Sequence, residues 1–275
     1  MVFKEIVLAN TNNATIPSDI DIVMPPAESL SEVDSSSLHS LAFIPWADRY
    51  MSYVPEDYRQ FYQAILPKLG ARTTDVHTAL SVSFVDELIA LSGHKVDKKI
   101  LTIAVLLHDI GWAQLTPAQI AMSLNYSAFA YPDEALEPKR LHASLGSEIA
   151  QLVLDEHQSA LGLSDDDKSY LVKLVRHHDQ INPWPDTPEP MEYLLLGDAD
   201  RLWSYTHENF WLDTIRKNTD PIQYLLNITE VIDEHFLTPA GKTIARRLIA
   251  ERAEEVAQLR EQPSAGQVEF ANELI

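Results

Sequence analysis

Cysteine is absent from the sequence, which removes disulfides and thiolate-bound metal and leaves imidazole and carboxylate as the metal-binding side chains. Glycine is scarce, at 8 of 275 residues. No long stretch alternates polar with apolar positions, so helix is expected rather than sheet. No window approaches the ~18 to 20 apolar residues that a membrane span needs. The opening "MVFKEIVLANTNNATIPSD" lacks a basic region followed by an apolar core, and a soluble, cytoplasmic protein is the expectation. Basic residues are outnumbered 21 to 41, for a net charge of −20. That charge repels polyanions and argues against nucleic-acid binding, but a small anionic substrate could still be held where cations cluster locally.

What the chain does have is apolar content, 45% of residues, enough for a sizeable core in an all-helical domain. Residues 1–45 mix prolines, serines and acids without periodicity and read as an irregular extension. A helical domain is expected over 46–262, and 263–275 read as a tail. Helix starts are legible in between. Thr116-Pro117, Asp220-Pro221 and Thr238-Pro239 each pair a capping residue with proline at the first helical position. Ser164 precedes three aspartates where the helix dipole favours acids. Helices are expected at 56–67, 72–92, 97–109, 117–124, 138–157, 165–178, 189–205, 208–217, 221–235 and 239–261. The longer loops are 125–137 and 179–188.

Ten histidines occur, and they divide into two groups. His39, His94, His157, His207 and His235 lie among polar residues or at helix ends and read as solvated or capping groups. His77, His108, His142, His177 and His178 sit within or at the end of apolar-periodic helices: "TTDVHTALSVSFV", "IAVLLHDI", "RLHASLGSEIAQLVL" and "YLVKLVRHHD". A further helix, "EYLLLGDADRLW", carries Asp198 and Asp200 among leucines. A lone core histidine is most simply bonded to a backbone carbonyl. Five helices each offering imidazole or carboxylate inward instead suggest a metal site built in a bundle core. Neighbours on a helix diverge by ~100°, so convergence of His108 and Asp109 is expected to need a break, with Gly111 supplying a left-handed turn.

In that order, His77, His108–Asp109 and Asp200 within "ADRL" resemble the signature of the HD-domain superfamily of metal-dependent phosphohydrolases. The likeness covers about residues 55–205. It implies an HD-type helical bundle with a dinuclear metal centre in its core. His142 in "HASLG" and the pair in "VRHH" are similar to second-metal ligands of dinuclear members. The implied set is His77, His108 and Asp200 on one ion and His142 with His177 on the other, bridged by Asp109. His178 either replaces His177 or meets the substrate. The resemblance favours Asp200 over Asp198, which can instead pair with Arg201 as a surface bridge. Iron is favoured for two such ions, with manganese or zinc as alternatives.

The implied activity is hydrolysis of a small, nucleotide-like phosphate ester by a water that the ions activate. Asp109, His178 and Arg72 are the expected catalytic residues. Further cations are available at Lys139, Arg140, Arg176, Lys242, Arg246 and Arg247, each of which also fits a solvated face or surface salt bridge. Trp112 and Trp184 are candidate pocket walls. The Gly-Tyr-Pro signature of the nucleotide-signalling subgroup does not follow "HH", and Trp112 stands where many members carry lysine. A di-iron oxygenase resembling the inositol and phosphonate oxygenases is therefore the alternative. An inactive metal-binding scaffold is the third reading.

Overall fold

The computed structural model describes residues 50–71, 73–123, 132–179, 183–217 and 219–261. Arg72, the expected extension at 1–45 and the expected tail at 263–275 lie outside them. The described residues are helical throughout, with no strand among them. In chain order the helices are α1 (Arg59–Ile65), α2 (Thr74–Ser83), α3 (Val85–Ser92), α4 (Lys98–Leu107), α5 (Pro117–Ser123), α6 (Pro132–Leu161), α7 (Asp165–His177), α8 (Met191–Leu202), α9 (His207–Arg216), α10 (Pro221–Glu230), α11 (Ile232–His235) and α12 (Pro239–Glu261). Among the described residues no helix is long and apolar enough to cross a membrane.

The capping chemistry read from sequence is realised. The Thr116 hydroxyl accepts from the Gln119 N–H at the start of α5. Ser164 and Asp167 form a reciprocal capping box on α7. Asp220 accepts from Ile222 and Gln223, and the Thr238 hydroxyl accepts from Gly241. Each such cap satisfies backbone donors that a helix start otherwise leaves open, for about 1 kcal/mol.

α4 is the axis of the molecule. Every residue from Ile100 to Leu107 is buried, as expected of a helix that is apolar all round. α2, α7 and α8 pack against it, and α6 lies on α7. Each fully buried leucine or isoleucine in this core contributes roughly 1.5–3 kcal/mol. The arrangement brings α2, α6, α7 and α8 around the C-terminal end of α4, where the apolar run meets His108 and Asp109.

Three expectations are corrected. The helices expected over 72–92 and 221–235 are each two, divided at Phe84 and at Val231. The helix expected over 138–157 is α6, which begins at Pro132 and carries Pro138 inside it. Gly111 does not take a left-handed backbone; among the described residues positive φ occurs at Gly93, Gly162 and Thr73. The break lies two residues earlier, at Asp109 (φ −100, ψ 7), which opens the 3-10 turn Ile110–Gln114. Gly111 serves close packing instead: a Cβ there would lie 2.0 Å from the His142 carbonyl oxygen and 2.6 Å from the Gly146 nitrogen. Gly111→Ala is accordingly expected to push α6 off the turn, costing about 1–3 kcal/mol in urea unfolding and weakening metal retention through His142.

Candidate metal centre

Two histidines reach the centre by the same local device. His108 and His178 each follow the last residue of a helix, α4 and α7. There a ring can fold back onto a last-turn carbonyl that has no helical partner. The His108 Nδ1–H donates to Val105 O at 2.7 Å and the His178 Nδ1–H to Val175 O at 2.7 Å. A carbonyl can only accept, so Nδ1 carries the proton in both rings and Nε2 offers a lone pair to the interior. This is how metal-binding imidazoles are commonly oriented.

Two groups of ligand atoms result. His77, His108, Asp109 and Asp200 form one, and Asp109, His142 and His178 form the other, with the atoms of each group within 4.8 Å of one another. Asp109 belongs to both. Its Oδ2 lies 3.1 Å from His77 Nδ1 and 3.7 Å from His108 Nε2; its Oδ1 lies 3.3 Å from His142 Nε2 and 3.6 Å from His178 Nε2. Asp200 Oδ1 closes the first group at 3.1 Å from His77 Nε2 and 3.5 Å from His108 Nε2. Trp112 donates its Nε1–H to Asp109 Oδ1 at 2.9 Å and stacks on His142 at 4.1 Å between centroids.

The donor set fits a cation. Four imidazoles and two carboxylates converge, a set that suits iron, manganese or zinc. His77 Nε2 and His108 Nε2 are buried without a hydrogen bond, although polar atoms in a protein interior are ordinarily paired. His142 Nε2 and His178 Nε2 approach to 3.1 Å, within hydrogen-bond distance of one another. The buried groups could hold a metal ion.

The electrostatics agree. Burial favours the neutral ring of His77, but the Asp109 and Asp200 carboxylates facing its two nitrogens at 3.1 Å outweigh it and raise its pKa to about 9. Asp109 is held well below the usual carboxylate range: burial opposes ionisation, and His108, His142, His178 and His77 overcome it. Asp200 is lowered in the same way by His108 and His77 against burial. His142 is pushed below its ordinary value by burial, which leaves it neutral and ready to coordinate.

The structure resolves the two choices left open by sequence. His178, not His177, sits in the second group. His177 is half-buried and meets Trp184 edge-on at 5.8 Å. One helical step of ~100° separates the two rings, and only His178 occupies the capping position from which a ring turns inward. Asp200, not Asp198, joins the first group. Asp198 is not the expected surface bridge either. It is fully buried and accepts from the Leu237 N–H at 2.7 Å, the Thr238 N–H at 3.0 Å and the Thr238 hydroxyl at 2.6 Å. It thus anchors the start of α12. Asp198→Ala is expected to lower unfolding free energy by about 1–3 kcal/mol, from three stranded donors, with metal content unchanged by elemental analysis.

The other candidates scatter. Trp184 lies beside Tyr170, His177 and Tyr193, with Lys173 over its ring at 4.3 Å. Arg246 pairs with Asp233, Arg247 with Glu87 and Glu251, and Lys242 lies 3.9 Å from Asp233. Arg140 and Arg176 line an outer groove between α6 and α7 with His177. His235, set aside as a solvated group, is half-buried and electrostatically coupled to Asp200; its polar sequence neighbours Asp233 and Glu234 gave no sign of this.

No family model, curated protein or solved structure matches the chain.

Proposed function

We propose that the chain is an HD-type, metal-dependent phosphohydrolase that cleaves a small phosphate ester, using two divalent ions, iron favoured. His77, His108 and Asp200 would hold one, His142 and His178 the other, with Asp109 shared. The observation that carries this reading is the splayed Asp109 carboxylate, each oxygen facing a different set of imidazoles. Bound there, two ions would supply a water acidified towards neutral pH and would neutralise charge gathering on phosphoryl oxygens.

The chain's own contribution is rigidity and access. The Val105 and Val175 carbonyls fix two rings, and Trp112 fixes Asp109 and His142 together, so the ligands need little reorganisation. Access is on the Asp200 side: that side chain is 30% exposed, against 0% for His108 and 8% for Asp109. The test is elemental analysis of purified protein, followed by a panel of phosphate esters with iron, manganese or zinc. Two equivalents of metal and metal-dependent phosphate release are expected. Bound metal with neither phosphate release nor oxygen uptake would leave the inactive scaffold.

A second reading, a di-iron oxygenase of the same fold, is favoured by Trp112. The indole stacks on His142 where a phosphate-facing lysine stands in the hydrolases the sequence resembles. Oxygen uptake coupled to cleavage of a polyol or phosphonate, with an iron electron paramagnetic resonance signal, would replace the hydrolase reading by this one.

A further inference from the structure

A groove of about 540 Å³ runs between α6 and α7. Its α6 wall is Glu137, Arg140, Leu141 and Ser144, a stripe at i, i+3, i+4 and i+7 along one side of the helix. Arg176 and His177, from the last turn of α7, form the facing wall. The metal ligands on these helices point elsewhere. His142 stands two residues before Ser144, ~160° round α6. His178 keeps helical dihedrals (φ −59, ψ −33) two residues after Arg176, which sets it ~160° round α7 from that side chain. The groove therefore opens on the outer side of both helices, apart from the centre.

Its charge runs against that of the chain. In a protein with 41 acidic residues to 21 basic ones, two guanidiniums and an imidazole line this groove beside one carboxylate. Glu137 does little to neutralise them: it lies 3.9 Å from Arg140, with the two side chains 72% and 52% exposed, and such pairs are worth little. Arg176 is exposed and makes no hydrogen bond or ion pair among the described residues. The α7 dipole accounts for a cation in that helix's last turn. Arg140 has no such reason, since it lies more than two turns inside α6. Like charges on facing walls repel, and an anion between them reverses the sign of that interaction. The half-buried Ser144 adds a hydroxyl donor to the same wall as Arg140.

We infer that the groove between α6 and α7 is an oxyanion site, separate from the metal centre, in which Arg140 and Arg176 hold a phosphoryl group of a small molecule. One guanidinium fork satisfies the two oxygens of a carboxylate, whereas two forks from facing helices match the three oxygens and higher charge of a phosphoryl group. The site goes beyond the proposed function and does not depend on it.

The test is titration calorimetry of the full chain with inorganic phosphate, before and after chelator treatment, with elemental analysis of the same samples. A binding event that survives chelation is expected. Arg140→Ala and Arg176→Ala, both of exposed side chains and so expected to fold as the parent does, should each weaken it at least about tenfold with metal content unchanged. Arg247→Ala, whose guanidinium is paired with Glu87 and Glu251 on another face, should leave it unchanged. Acetate should bind at least about tenfold more weakly than phosphate, and equal binding would overturn the phosphoryl assignment. Phosphate binding that disappears with the metal, or that neither arginine substitution weakens, overturns the inference and leaves the metal centre standing. A chain that carries no metal yet binds phosphate through both arginines upholds the groove and overturns the proposed function instead.

Discussion

Asp109→Ala is expected to release both of the proposed ions and to lower the melting temperature by roughly 6–20 °C. Both effects follow from one carboxylate serving two groups of imidazoles. Without it, His77, His108, His142 and His178 stay packed within a few ångströms of one another with one carboxylate among them. Removing one member of a buried charge cluster costs about 3–5 kcal/mol. For a domain of this size each kcal/mol is worth roughly 2–4 °C. The contrast that isolates the bridge is His142→Ala, which touches the second group alone and should lose one equivalent of metal while keeping the other. Elemental analysis of the two variants beside the parent reads the result. Metal content in Asp109→Ala equal to the parent would refute the shared role.

The second large effect couples metal to pH through His77. In the metal-free chain its pKa is raised to about 9 because both ring nitrogens face carboxylates, against about 6.5 in an unfolded chain. The pKa is raised on folding, so this stabilisation is fully present below pH ~6.5 and is lost as pH rises towards 9. A metal must displace that proton. Affinity should therefore climb at least about tenfold per pH unit between 7 and 8, since against its burial the neighbouring carboxylates raise His108 as well, and flatten once both rings are neutral. Competition against a chelator of known affinity, corrected for the chelator's own protonation, measures the slope. A flat profile over that unit would show that His77 is not protonated in the metal-free state. At a free metal concentration of a thousand times Kd, binding stabilises by about 4 kcal/mol, or roughly 8–16 °C in melting temperature. Chelation should remove that increment, and more of it at pH 8 than at pH 7.

Much of the centre is legible in the chain. His77, His108 and His142 interrupt apolar helical faces, and a polar group set at core-facing spacing has few alternatives to a partner or a metal. The Val105–His108 and Val175–His178 spacings are also written there: histidine three residues after valine at a helix end, where the ring reaches back to a carbonyl. That second signal separates His178 from His177 but becomes readable only once the last residue of α7 is located. Asp198 misled because its distance from Arg201 fits an i, i+3 pair, whereas its actual partners, Leu237 and Thr238, stand some forty positions away.

Composition and local periodicity were enough to determine that the described residues form helices and no strand, several of the caps at which those helices start, and the imidazole and carboxylate character of any metal ligand. Those are short-range matters of capping, spacing and side-chain chemistry. Tertiary packing alone decided which member of each close pair faces inward, that Gly111 is a contact with α6, and that Asp198 holds the start of α12. The physical reason is that a helical step specifies angles only relative to the helix itself. Which side becomes the interior depends on neighbours far along the chain, and at helix ends, where these ligands sit, the regular step is broken.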